Sequence, residues 1–173
     1  FRVLAGVIVL VVGGAAFILL PPGEDQPVGS ISLQPRTTAR AGAAAGSKQI
    51  LFGDLHVHTT YSLDAFFTSM PLLSGEGAHP PADACDYARH CAALDFYSIT
   101  DHAQELTPAH WALEKEANRQ CNAVGQTADG GQDLVVFHGF EWTQIGRTPD
   151  QHYGHKNVIF RGLGEDEVTP RPI

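Results

Sequence analysis

Three short runs rich in apolar and β-branched residues, at 50–59, 95–102 and 134–143, are separated by two stretches with helical periodicity. This strand–helix–strand–helix–strand order is the strongest constraint on the fold. Parallel neighbouring strands need a long crossover connection, and a helix supplies it. The first helical stretch opens at Pro81, with Asp83 and Asp86 near its positive end. It is expected to run to about Leu94 and to bury Ala84, Tyr87, Ala88, Cys91 and Leu94. The second opens on the pair Thr107-Pro108 and carries Leu113, Ala117, Cys121 and Val124 at helical spacing, which leaves Trp111 exposed. Gly125 and the turn at 129–131 end it. A fourth strand is expected at 156–161, and residues 60–80 read as a long loop. The expected class is α/β, with a largely parallel sheet or barrel.

The residues before this region are of another kind. Positions 3–20 hold no charged residue, and as a helix they would span roughly 27 Å, close to the thickness of a bilayer core. Arg2 precedes the stretch and Glu24 and Asp25 follow it, so the amino end is expected in the cytoplasm and the rest outside. A single-pass transmembrane anchor is expected, with a cleaved signal or a buried helix as the alternatives. Residues 21–48 contain four prolines and four glycines without periodicity, which suits a flexible tether. The chain thus divides into a transmembrane or signal segment at 1–20, a linker at 21–48 and a folded region at 49–173. Residues 1–48 carry four basic and two acidic groups, whereas residues 49–173 carry seven basic and seventeen acidic ones. Without a basic stripe to displace counterions, nucleic acid is excluded as a structural partner. Cys85, Cys91 and Cys121 are an odd number. They allow one disulfide and one free thiol with three pairings open, or simple burial of Cys91 and Cys121 on apolar helix faces.

All nine histidines lie beyond residue 50. The first strand ends in Asp54-Leu-His56-Val-His58, and alternation across a strand puts the two histidines on one face. Two adjacent imidazoles at a strand end make a natural pair of metal ligands, and Asp54 on the same face can hold a ring N–H. The second strand ends in Thr100-Asp101-His102 and the third in Gly139-Phe-Glu141-Trp-Thr143. Gly139 would leave room beneath the Glu141 carboxylate, while His138 falls on the opposite face. In α/β sheets and barrels the carboxyl ends of the strands carry the chemistry, so three successive ends with metal-compatible groups point to one site. His79, His90 and His110 are expected to be structural. Phe66, Phe67 and Met70 are expected to pack on the rim of the sheet, and Arg147, Lys156 and Arg161 to form a solvated rim.

The segments FGDLHVHTTYSLDA, DFYSITDH, GFEWT and GHKNVIF, in that order, resemble the polymerase and histidinol phosphatase (PHP) superfamily. They are closest to a membrane-associated or exported branch described as a domain of unknown function. The resemblance implies a partial, distorted (β/α) barrel, a multinuclear centre of two or three divalent ions (Mn, Fe or Zn) and hydrolysis of a small phosphorylated substrate. It implies His56 and His58 as ligands of a first metal, Asp64 and His102 as ligands of another, and Glu141 as the bridging carboxylate. His155 is the expected further ligand, with His152 as its rival. The chemistry is expected to depend on Glu141 as a metal bridge and on Asp101 as an orienter beside His102. The superfamily also has a further histidine and a late Asp-x-His pair, which do not follow His155 here. We therefore expect a piece of a longer, exported or membrane-anchored gene product that does not turn over substrate alone. The alternatives are a non-catalytic exported metal-binding or ligand-sensing domain, and an amidohydrolase-type enzyme, for which no bridging lysine stands in a recognised motif.

Overall fold

The computed structural model describes residues 29–34, 36, 50–73, 75, 77, 79–128 and 130–173. The expected transmembrane or signal segment lies outside them. Among the described residues no helix is long and apolar enough to cross a membrane.

Strands β1 (Gly53–Val57), β2 (Phe96–Ile99), β3 (Val135–Gln144) and β4 (Gly154–Phe160) form one sheet in that order. The first three are parallel, and helices cross between them. Helix α1 (Leu63–Thr68) and helix α2 (Pro81–Asp86) fall between β1 and β2. Helix α3 (Pro108–Val124) joins β2 to β3, and its cap is the expected one: the Thr107 side chain accepts the His110 N–H. Strand β4 runs antiparallel to β3. The expected parallel preference stops there because the link at 145–153 is too short for a crossover helix. The result is a mixed α/β sheet. It is also curled. In a flat sheet β1 and β4 would lie roughly 14 Å apart, yet Asn157 Nδ2 donates to Leu55 O across the trough at 2.9 Å.

Several local expectations change. The stretch read as a loop contains α1, too short for its periodicity to show in the sequence. The helix from Pro81 is α-helical only to Asp86 and then widens into a π-turn, Tyr87–Cys91, closed by the Ala92 N–H to Tyr87 O bond. The buried face also differs from the expected one: Tyr87 and Cys91 are exposed while Cys85, Ala88 and Arg89 are buried. Cys85 is disulfide-bonded to Cys121, which ties α2 to α3. Trp111, expected to be exposed, is 1% exposed. Residues beyond β4 cross over α3, where the Trp111 indole N–H donates to Thr169 O and its ring packs on Phe140 and Phe160.

The linker also differs from a free tether at its described positions. Ile31 packs against the core of α2, α3 and the sheet. The Ser32 N–H donates to Asp86, and the buried Arg89 guanidinium donates to Ser32 O and Gln34 O. Gly139 leaves no cavity either. A Cβ there would come within 2.5 Å of Val158 O, so the glycine lets β4 approach closely.

Candidate metal centre

Cross-strand pairing places Glu141 opposite Asn157 and Thr143 opposite His155, all four side chains on one face of the β3–β4 ladder. His56 reaches the same place from β1 and His58 from the position just beyond it, and His102 from the isolated bridge it makes with Glu141 beyond the end of β2. With Asp64 of α1, six residues from five segments of the chain therefore converge. His56, His58 and Glu141 form one group whose ligand atoms lie within 4.8 Å of one another, His58, Asp64 and His102 a second, and His102, Glu141 and His155 a third. Three of the six residues belong to two groups each.

Glu141 is the hub. Its Oε2 lies 3.1 Å from His56 Nε2, 2.8 Å from His58 Nε2 and 3.5 Å from His102 Nδ1. His155 Nδ1 contacts the other oxygen and lies 3.0 Å from Thr143 Oγ1. Asp64 stands in the first turn of α1, with one oxygen 3.3 Å from His58 Nδ1 and the other 3.3 Å from His102 Nε2. The buried His58 Nε2 and His102 Nδ1 make no hydrogen bond despite their closeness to Glu141. Nitrogen lone pairs that converge on a buried carboxylate without hydrogen-bond geometry fit a shared cation. Burial alone would raise the Glu141 carboxyl, but the His56 hydrogen bond and the charges of His102, His58 and His155 outweigh it and hold it below the usual range. At Asp64 burial is likewise outweighed, by the Ala65 N–H, His58 and His102.

His155 joins the cluster and His152 does not. The latter lines a shallow surface cleft of the β3–β4 loop with Gly146, Arg147, Thr148 and Pro149. His138 faces α3, where Nδ1 accepts from Asn118 Nδ2 at 3.0 Å. Asp54 turns back to accept the His56 backbone N–H instead of a ring N–H. Asp101 is buried beside the cluster, but it holds the turn after β1 and does not touch the His102 ring: the Thr59 N–H, Thr59 Oγ1 and Ser62 Oγ all donate to it.

Two supporting residues escaped the sequence reading. Glu105 accepts the Leu63 N–H at 2.6 Å and so fixes the start of α1, and Ser62 Oγ accepts the His102 N–H at 3.0 Å. The hydroxyl run Thr59-Thr60-Tyr61-Ser62 between His58 and Asp64 was the available signal, since such side chains build turns through side-chain-to-backbone bonds.

A family model described as "Protein of unknown function (DUF3604)" matches residues 45–131, which contain His56, His58, Asp64 and His102 but not Glu141 or His155. No curated protein and no solved structure matches the chain. With half of its length covered by that model, the chain belongs to the DUF3604 family.

Proposed function

We propose that this protein is a metal-dependent hydrolase of the PHP type, which cleaves phosphate esters at a site holding two or three divalent ions (Mn, Fe or Zn). The observation that carries the reading is the set of three overlapping ligand groups hinged on His58, His102 and Glu141. Divalent ions in such a site lower the pKa of a coordinated water and offset the charge of a phosphate ester. The chain's own part is to hold the ligand atoms in register. His56 and His58 are fixed by β1, Asp64 by α1 and the turn before it, and Glu141 and His155 by the antiparallel ladder. The charge imbalance in residues 49–173 would repel an anionic substrate, so bound cations are what make phosphate a compatible ligand.

We also place this domain outside the cytoplasm. The Cys85–Cys121 pairing supports that placement, because such bonds persist in oxidising compartments.

Metal analysis of the purified protein tests the reading first. More than one equivalent of metal per chain is expected, falling by at least one in both His56→Ala and Glu141→Ala. Less than one equivalent, unchanged by either substitution, would sink it. A metal-loaded protein with no turnover on a broad phosphomonoester and phosphodiester panel would point instead to the metal-binding or sensing module.

A further inference from the structure

Strand β1 lies at one edge of the sheet, with β2 as its ladder neighbour, and its residues from Gly53 to His56 are exposed. The pairing runs Gly53 to Phe96 and Asp54 to Tyr97, then slips, and resumes at Val57 with Ile99. Leu55 and His56 fall inside that slip and have no residue of β2 directly opposite. A bulge of this kind re-aims a side chain and locally disrupts the ladder that would hold it. The residue at the slip is His56, whose Nε2 lies 3.1 Å from Glu141 Oε2.

The peptide unit between Leu55 and His56 is gripped at both ends by side chains. Its N–H, that of His56, donates to Asp54 Oδ1 at 2.9 Å, and its carbonyl, that of Leu55, accepts from Asn157 Nδ2 at 2.9 Å. The Asp54 bond spans two residues of the same strand, so it can orient the peptide but cannot locate it across the trough. Asn157 can, because it stands on β4 directly opposite Glu141 in the antiparallel register. A carbonyl only accepts, so the contact needs a donor, and an amide supplies one without adding charge. The contacts from Glu141 to Asn157, from Asn157 to Leu55 O and from His56 back to Glu141 thus close a ring across the sheet.

We propose that Asn157 is a positioning residue of the metal centre: its side-chain amide holds the Leu55–His56 peptide at the bulge of β1 and so sets His56 against Glu141. The proposal rests on the reading of His56 and Glu141 as metal ligands and names the residue that keeps that pair in register. The other ligands are held by other means: Asp64 by α1, His102 by Ser62 Oγ and its bridge to Glu141, and His155 by the ladder. The clasp therefore supports the ion of the His56, His58 and Glu141 group more than that of the His58, Asp64 and His102 group. A residue that merely stabilised the sheet would support all of the ligand groups alike.

The experiment titrates cobalt(II) into wild type, Asn157→Leu and Asn157→Asp, followed in the visible spectrum, and records the Asn157 side-chain amide of the metal-free wild type by NMR. Leucine is close to asparagine in size but cannot donate. Aspartate keeps the shape and an oxygen, and sets a second oxygen against the Leu55 carbonyl. Both variants should bind one cobalt equivalent more weakly, by roughly tenfold or more, with another equivalent unchanged. The wild-type amide protons should exchange slowly and show a nuclear Overhauser contact to the backbone of β1. Unchanged cobalt binding in Asn157→Leu, or equal weakening of every equivalent, would overturn the proposal. So would wild-type or tighter binding in Asn157→Asp, the result that direct ligation by the Asn157 oxygen predicts. Absence of the contact to β1 overturns it even if neither variant folds. A wild-type protein that takes up no cobalt refutes the metal reading instead, and the amide signal then decides the clasp alone.

Discussion

Single side chains divide sharply by which face of the sheet they occupy. Along β3, Glu141 looks into the trough and His138 away from it, as alternation requires. His138 is buried between Trp111 and Asn118, and the amide that donates to Nδ1 leaves the ring neutral with its proton on Nε2. Burial, reinforced by Lys115 and Arg119, holds its pKa down at about 3 against an ordinary 6.5. The unfolded chain therefore binds a proton there that the folded chain does not. This residue's stabilising effect is complete above pH 6.5 and is lost progressively as pH falls towards 3. His138→Gln should flatten that part of the stability curve by about one proton, or about 1.4 kcal/mol per pH unit. Urea melts across the window measure it, and equal slopes in variant and wild type would show that His138 titrates normally. The pairing of His56 with His58 was legible from spacing alone, because a strand period of two is fixed by the backbone. The choice of His155 over His152 was not. It depends on where the β3–β4 loop ends, and the sequence marks that only weakly.

Among the elements, those with strong local signals appear where they were expected. Thr107 caps α3 as its sequence predicts, and Thr107→Ala should cost about 1 kcal/mol in thermal or urea unfolding. A loss below a few tenths would mean that tertiary packing alone holds the helix start. The second helix shows the opposite case. Its apolar residues predict Tyr87 and Cys91 inside, but the face that docks is the one carrying Pro81, Ala82, Cys85, Ala88 and Arg89, which leaves both outward. No local propensity encodes that choice of face. It follows from docking Cys85 and Ala88 onto the sheet while Arg89 reaches the segment before β1. The Cys85–Cys121 bond closes a separation of 36 residues, so replacing both cysteines with alanine should cost roughly 2–4 kcal/mol. Equal urea midpoints with and without the bond would refute a stabilising role.

At the scale of the whole molecule, the open question was how the ends of the folded region are held. Arg89 is 2% exposed, and its two terminal nitrogens donate to Ser32 O, Gln34 O, Val124 O and the Asp133 carboxylate. Two of those four partners belong to the stretch read from its proline and glycine content as a tether. Deleting residues 29–36 should strand a buried guanidinium and lower stability by about 3 kcal/mol or more. An unchanged urea midpoint would show that the stretch only rests on the surface. The residues after β4 behave similarly, burying Trp111 beneath a segment without regular structure. The sequence by itself determined the alternation of strands and helices, the shared face of His56 and His58, and the polar strand ends, because backbone periodicity is local. The tertiary structure alone decided which segments close over the core, the antiparallel turn of β4 and the meeting of six ligand residues. Those outcomes depend on the curl of the sheet and on contacts between residues far apart in the chain, which no local pattern records.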